Sequence, residues 1–232
     1  MLRQACNTTD SRALTLQQRL TGRIAMAKEL HRIEQMLEAD GLRVRYFDAG
    51  NGDPIIVFPA KDRRLADPIL RQLAESYRII SLNLSSHDEV SASQLADKLP
   101  GALTRLGIEH ASVIGVAAGA RPALALAISA PERIDRLILL SPLQISDSAE
   151  LLDLAAVKTA TLVLVGTSDS SAAIEGGRLC RSRIPSCHLS FVYSAGGALP
   201  GDRLEACLDP IIQFLQEGEQ FIIFRESQVI RP

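Results

Sequence analysis

A strand, a sharp turn and a helix are predicted over residues 111–127, and the turn has the spacing of a nucleophile motif. Gly115, Ala117 and Gly119 stand at the first, third and fifth positions of a G-x-S-x-G pattern, with alanine where the pattern has serine. In that pattern the turn lifts the serine oxygen above the end of a parallel sheet, and the glycines let strand and helix pass closely. A methyl group cannot attack a carbonyl carbon. The sequence therefore predicts the scaffold for a nucleophile without the nucleophile itself.

The composition suits one α/β domain. The chain has 232 residues, 47% of them apolar, and a formal net charge of −2 with acidic and basic residues well mixed. These values exclude wholesale disorder and the basic surface typical of nucleic-acid-binding or polybasic membrane-binding proteins. The four cysteines lack metal-ligand and C-x-x-C spacing, so we expect reduced thiols and neither a metal nor another cofactor. Residues 1–12 lack an apolar signal core and no apolar run could span a bilayer, so we expect a cytoplasmic protein.

Apolar segments alternate from residue 42 onward and predict an α/β architecture. Continuously apolar strands are typical of a parallel sheet covered on both faces. We predict a mostly parallel sheet of about seven strands with helices on both faces, the first two strands forming an antiparallel hairpin through the turn formers 49–54. The predicted strands are 42–48, 55–59, 78–84, 111–116, 134–140, 161–166 and 188–194, and the predicted helices are 64–75, 92–106, 118–130, 146–156, 171–181 and 202–216.

Apolar residues at three- and four-residue steps predict an amphipathic helix over residues 14–39, ended by Asp40 and Gly41. The chain is therefore divided into an N-terminal helical arm, residues 1–40, and one α/β domain without a cap domain, residues 41–232. An isolated helix is not stable unless it buries its apolar face. We expect this arm to pair with the same arm of a second subunit in a homodimer, or to cover the open cleft.

With strands, turn and helices in this order, residues 42–218 resemble the α/β-hydrolase superfamily, most closely its small bacterial esterase- and peptidase-like members. Residues 134–142 resemble the strand after the elbow helix. Residues 161–169 resemble the strand that delivers the acid of the catalytic triad, which the resemblance places at Asp169. Residues 194–203 are similar to the family's A-G-H-x-x-P segment.

The positions that carry the family's chemistry are altered. The resemblance puts Ala117 at the nucleophile, Gly197 at the histidine, and Pro59-Ala60 at the H-G pair of the oxyanion loop, so only the acid, Asp169, remains. In the triad mechanism the acid orients a histidine that deprotonates the serine. Loss of nucleophile and base removes most of the rate. The resemblance therefore implies a degenerate triad that does not hydrolyse esters or peptides.

Other histidines and serines are poor replacements for the missing groups. His87 stands where the family has a structural histidine, and His31 lies on the arm. His110 precedes the elbow strand, and His188 begins its own strand. Ligands of parallel sheets bind at the carboxyl ends of strands, which is the opposite end. Serine without a base is a poor nucleophile, so the serines near the correct strand ends are interpreted as turn or cap residues. These are Ser141, Ser168, Ser170 and Ser194.

One part of the family's machinery needs no side chain. The resemblance implies that the backbone N–H groups of Ala118 and Lys61 form an oxyanion-hole-like pair that holds a carbonyl or carboxylate oxygen. The leading hypothesis is a pseudoenzyme that binds an unknown small molecule or another protein without hydrolysing it.

Four alternatives stay open. The first is an esterase- or peptidase-like serine hydrolase that an engineered substitution has inactivated. The second is a lyase- or isomerase-like catalyst that uses the residual oxyanion hole with Asp169 as base. The third is an interaction protein whose arm mediates assembly. The most distant alternative is a dinucleotide-binding domain, because Gly115 and Gly119 lack the G-x-G-x-x-G spacing.

Overall fold

Within the described residues, one sheet of nine strands organises the fold. The computed structural model describes residues 34–39, 41–60, 67–84, 92–143, 145, 152–196, 203–223 and 229–230. The strands are β1 (Gln35–Ala39), β2 (Leu42–Ala49), β3 (Pro54–Phe58), β4 (Arg78–Asn83), β5 (Ala111–Val116), β6 (Ile134–Leu140), β7 (Thr161–Gly166), β8 (Cys187–Val192) and β9 (Val229–Ile230). The helices are α1 (Asp67–Leu73), α2 (Ala92–Arg105), α3 (Ala120–Ser129), α4 (Ser171–Arg183), α5 (Leu204–Glu217) and α6 (Glu219–Ile223), with 3-10 turns at Ala117–Gly119, Pro131–Arg133 and Leu154–Ala156.

The sheet is mostly parallel, as predicted. Its strand order is β1-β2-β4-β3-β5-β6-β7-β8-β9. Strand β2 is antiparallel to both of its neighbours, and all other neighbouring pairs are parallel. All seven predicted strands are present, with ends within two residues of the prediction, and β1 and β9 are additional.

Helices cover both faces of the sheet, which confirms the predicted class. Helices α2, α3 and α4 pack on one face, for example through Leu103, Leu124 and Cys180. Helices α1, α5 and α6 pack on the other, for example through Leu73 and Phe214. Every residue of β5 and β7 is buried. These continuously apolar strands therefore need cover on both sides, which is why they are central.

The predicted hairpin between the first two predicted strands is wrong. Strand β4 lies between β2 and β3 and is antiparallel to β2 but parallel to β3. An ion pair of 2.6 Å between Arg78 and Asp48 joins β4 to β2. Gly50 crosses so close to the start of β4 that a Cβ atom there would overlap the carbonyl oxygen of Tyr77. Strands β3 and β4 are both buried along most of their length, so the apolar pattern alone does not decide which of them lies beside β2.

The C-terminal part of the helix predicted over residues 14–39 is also wrong, because residues 35–39 form strand β1. Leu37 is buried between exposed Met36 and Glu38, which is the alternation of a strand with one covered face. Gly41 has a φ of 73° and turns the chain back into β2. Aspartate followed by glycine ends helices and also forms two-residue hairpin turns, since both need a positive φ. The rest of the predicted arm, residues 1–33, lies outside the described residues, and the sheet begins before the predicted domain boundary at residue 41.

In the described part of the helix predicted over residues 146–156, residues 154–156 form a 3-10 turn, Leu154–Ala156, and the Asp153 carboxylate accepts a hydrogen bond from the N–H of Ala155 at 3.1 Å. Residues 146–151 lie outside the described part of the chain.

Candidate functional site

The turn after β5 has the geometry of a nucleophile elbow. Ala117 follows the strand directly with a φ of 51°, and α3 begins at Ala120. A positive φ costs alanine roughly 1–2 kcal/mol, so the surrounding structure imposes this conformation. A Cβ atom on Gly115 would lie 2.7 Å from the Cα of Ala120, and one on Gly119 would overlap the carbonyl oxygen of Phe58. Both glycines are therefore required for the close passage of strand and helix.

The chain just beyond β6 and the chain just beyond β8, both at the same edge of the sheet, share this backbone conformation. Ser141 directly follows β6 with a φ of 46°, and Ser194 lies two residues beyond β8 with a φ of 55°. Val116 of β5 pairs with Leu140 of β6, so Ala117 and Ser141 lie side by side. Non-glycine residues with positive φ concentrate at functional sites. Their clustering marks the carboxyl-terminal edge of the sheet as the candidate site, which is where ligands of open α/β sheets bind.

Asp169 joins the ends of two strands at this edge. It lies between β7 and α4 and is 8% exposed. Its Oδ2 accepts a hydrogen bond from Ser141 Oγ at 2.6 Å and another from the backbone N–H of Gly166 at 2.7 Å. Its Oδ1 is also buried. The carboxylate is thus held in one orientation by the two strand ends next to the elbow.

The chain that leads to the predicted histidine position is held against the same turn. The N–H of Ser168 donates to the carbonyl oxygen of Ala195 at 2.8 Å. The N–H of Ser194 donates to Thr167 Oγ1 at 3.0 Å. The segment that precedes Gly197 therefore lies beside the turn that carries Asp169. Gly197 itself lies outside the described residues.

The structure brings some of the sequence-predicted site residues to one edge. Ala117, Ala118 and Asp169 all lie at the carboxyl ends of β5 and β7, on either side of the end of β6. Lys61, like Gly197, lies outside the described part of the chain. The oxyanion-hole-like pair and the three-residue triad geometry therefore stay predictions.

The described histidines lie at the amino-terminal ends of their strands. His110 precedes β5, is exposed, and lies 3.6 Å from Asp135. His188 is buried in β8 and makes an edge-to-face contact with Phe221 at a centroid separation of 5.3 Å. His31 and His87 lie outside the described residues. Of the four strand-end serines, Ser170 is a helix cap, as interpreted from sequence, because its Oγ accepts from the N–H of Ala173 at 3.3 Å.

Ser141 has a partner that the sequence reasoning missed. The sequence predicts a turn residue without a base, yet the Ser141 hydroxyl is hydrogen-bonded to the carboxylate of Asp169, 28 residues away in the chain. The local signal was its place directly after a continuously apolar strand that neighbours the elbow strand. The partner depends on the parallel pairing of β6 and β7, which no local pattern contains.

Thiol and metal chemistry find no support in the part of the chain that the structure describes. Burial raises the pKa of both Cys180 and Cys187 to about 12, so neither forms the reactive thiolate readily. Within the described ranges no group of three or more His, Cys, Asp or Glu side chains is placed to hold a metal ion. None of the described helices is long and apolar enough to cross a membrane.

Known proteins relate to this chain mainly through its fold. No family model matches the sequence. The dihydrolipoyllysine-residue acetyltransferase component of the acetoin cleaving system of Cupriavidus necator is 31% identical over 126 residues, which are 49% of this chain and 33% of that protein. The match therefore spans only one third of the relative's length.

Three solved structures superpose on most of the chain. A naproxen esterase from Bacillus subtilis has a TM-score of 0.70 at 12% identity, covering 86% of this chain and 96% of its own. An enol-lactonase from Burkholderia xenovorans has a TM-score of 0.69 at 17% identity, covering 79% and 100%. A CIB-like hydrolase from Thermoplasma acidophilum has a TM-score of 0.67 at 17% identity, covering 80% and 98%.

Proposed function

We propose that this chain, which has the α/β-hydrolase fold, is a pseudoenzyme that binds a small carbonyl or carboxylate compound and does not hydrolyse it through a triad. The observation that carries this proposal is the elbow at Ala117, whose strained turn and two close-packed glycines are present while the side chain is a methyl group. A backbone conformation that costs stability and serves no nucleophile is expected where the turn still has a binding role.

The backbone of the elbow supports binding. The first N–H groups of a helix have no helical acceptor and attract negative charge. Ala118 lies in the first turn after the elbow residue, where the family places one oxyanion-hole donor. A carbonyl or carboxylate oxygen above Ala117 would accept a hydrogen bond from this N–H. The methyl group of Ala117 leaves more room for such a ligand than a serine side chain that is hydrogen-bonded to a histidine would.

The state of the acid argues against triad hydrolysis. Asp169 Oδ2 already accepts hydrogen bonds from Ser141 and Gly166, and the sequence has glycine at the family's histidine position. Without imidazole, neither the attack of a nucleophile nor the attack of water has the usual general base. The site therefore suits ligand retention better than turnover.

Acyl transfer is a second candidate function, favoured by the similarity to part of an acetyltransferase component from Cupriavidus necator. A thiol co-substrate carries its own nucleophile, so transfer between thiols needs an oxyanion hole and correct positioning more than an enzyme serine. This candidate narrows the ligand class to acyl thioesters.

A thermal-shift experiment tests the binding proposal. The full chain is heated with acetate, acetamide or the acetyl thioester of N-acetylcysteamine, and we expect at least one of the three to raise Tm in a saturable way. Ala117→Asn should remove the shift, because asparagine tolerates a positive φ and fills the space above the elbow. Ala117→Gly is the matched control, since it keeps both the turn and the space.

The Tm shifts distinguish binding above the elbow from binding elsewhere and from acyl transfer. A shift that the asparagine variant retains would place the ligand elsewhere, and no shift with any of the three compounds up to millimolar concentration would contradict the proposal. A shift with the thioester alone favours the acyl-transfer candidate.

A further inference from the structure

We propose that Ser141 is an acyl acceptor activated by Asp169, and that it takes one acetyl-sized acyl group from a thioester or aryl ester. The inference rests on the proposed binding of an acyl compound at this edge of the sheet and extends it to a covalent step.

Ser141 occupies on β6 the position that the elbow residue Ala117 occupies on the neighbouring strand β5. Val116 and Leu140 pair in register, so Ser141 follows β6 at the same level at which Ala117 follows β5. Neighbouring strands lie about 4.8 Å apart, which is within the reach of a small acyl group held at the elbow. Both residues have a positive φ, 51° and 46°. The N–H of Leu143 donates to the carbonyl oxygen of Ala117 at 3.1 Å, so the chain after Ser141 folds back against the elbow.

The contacts of Ser141 provide a base and a group that orients the base. A nucleophilic hydroxyl requires a proton acceptor within hydrogen-bond reach, and that acceptor is in turn oriented by a third group. The distance from Ser141 Oγ to Asp169 Oδ2 is 2.6 Å. The N–H of Gly166 donates to the same carboxylate at 2.7 Å. The arrangement of nucleophile, base and orienting group is therefore present, with carboxylate in place of imidazole.

The covalent step balances without any further reactant. Ser141 Oγ attacks the acyl carbon and forms a carbon–oxygen bond while its proton passes to Asp169 Oδ2. The negative charge on the carbonyl oxygen is stabilised by the N–H of Ala118. The bond to sulfur or to the aryl oxygen then breaks, and the departing thiolate or phenolate takes the proton from Asp169. The products are acylated Ser141 and a free thiol or phenol, and Asp169 is again a carboxylate.

The weakness of the base sets the substrate class and the fate of the acyl group. A carboxylate is a weaker base than imidazole, so it supports the expulsion of good leaving groups, which are thiols and phenols, rather than of ordinary alcohols. The acyl enzyme then has no imidazole to activate water, so it persists. Ser141 is 9% exposed and Asp169 8%, which limits the acyl group to a small one.

The test uses the full chain and p-nitrophenyl acetate. We expect a burst of nearly one p-nitrophenolate per chain followed by a slow phase, and peptide mapping by mass spectrometry should find one acetyl group on Ser141. Ser141→Ala should abolish the burst. Asp169→Asn should slow the burst by about 100-fold or more, since general-base assistance is commonly worth that factor. Ser182→Ala is the control, because the Ser182 hydroxyl donates to the carbonyl oxygen of Leu179 within α4, outside the candidate site, and its loss should leave the burst unchanged.

A further variant covers the case in which Ser141→Ala or Asp169→Asn does not fold. Ser141→Cys keeps the size of the side chain and a nucleophile, and its label should appear on the introduced sulfur. The inference is overturned if the acetyl group maps to another residue, or if the burst persists in folded Ser141→Ala. A Tm shift by acetamide that survives in that variant would leave the binding proposal intact while the acyl-acceptor role fails.

Discussion

Gly119 lies directly against Phe58, so that a Cβ atom on the glycine would overlap the phenylalanine's carbonyl oxygen. The contact joins the end of β3 to the start of α3 and sets how closely the elbow approaches the loop that follows β3. It explains the second glycine of the motif by close backbone approach and not by conformation, because the φ of Gly119 is −67°.

Gly119→Ala should therefore destabilise the protein by about 1–3 kcal/mol, the usual cost of overpacking. The sign is informative because alanine at this helical φ would otherwise raise stability by roughly 0.4–1 kcal/mol. Urea unfolding followed by far-ultraviolet circular dichroism measures the difference. An unchanged or increased free energy of unfolding would contradict the close contact.

Ala117→Gly should have the opposite effect. Glycine adopts a φ of 51° without the steric cost that alanine bears, so we expect the free energy of unfolding to rise by about 1 kcal/mol. Ala120→Gly is the matched control three residues later, where φ is −60° and glycine should cost about 1 kcal/mol. If both variants lose stability, the turn at Ala117 is not strained.

Steady-state turnover of p-nitrophenyl esters after any burst should stay far below that of an esterase, because the proposed function has alanine at the nucleophile position and glycine at the histidine position. Ala117→Ser or Gly197→His alone should not change this, since residues of a triad act as a unit. The double variant should recover turnover if Asp169 can still orient a histidine. Recovery with the serine alone would show that another residue supplies the base.

We expect the N-terminal segment, residues 1–33, to mediate dimerisation. A deletion that tests this should end before strand β1, which belongs to the sheet. Removal of residues 1–33 should convert a dimer into a folded monomer, as measured by light scattering. Removal of residues 1–40 should in addition lower Tm, because it deletes the edge strand that buries Leu37. Equal masses for the full chain and the shorter deletion would show that the segment is not an interface.

Stability should decline in alkaline solution through the buried thiols. Burial raises the pKa of Cys180 and Cys187 from 9.0 to about 12, so the folded chain keeps protons that the unfolded chain loses above about pH 9. When the unfolded state binds fewer protons, the free energy of unfolding falls as pH rises, here between about 9 and 12. Urea unfolding at pH 8 and pH 10 measures this fall. Cys180→Ala with Cys187→Ala should show a smaller fall, and an identical one would exclude the thiols as its cause.

The sequence could predict whatever depends on neighbours in the chain. The central strands follow from runs of apolar residues, and the elbow follows from Gly115 and Gly119, because burial on both faces and close backbone passage leave local patterns. Local patterns misassigned residues 35–41. An aspartate–glycine pair serves a helix end and a hairpin turn equally well, and only the pairing of β1 with β2 distinguishes them.

Strand order and the partners of buried polar groups were decided by the tertiary structure. Nothing between Asp48 and Pro54 indicates that β4 will be inserted beside β2, since β3 and β4 are similarly buried and their order depends on pairing between strands that are distant in the chain. The same holds for the role of Ser141. Its hydroxyl gains a hydrogen-bond partner only because parallel pairing of the strands brings Asp169 Oδ2 within 2.6 Å of Ser141 Oγ. The sequence by itself determined that Ala117 occupies the elbow and cannot act as a nucleophile. Only the packing of β5, β6 and β7 decided that a serine and a carboxylate meet beside it, because their contact joins residues that are distant in the chain.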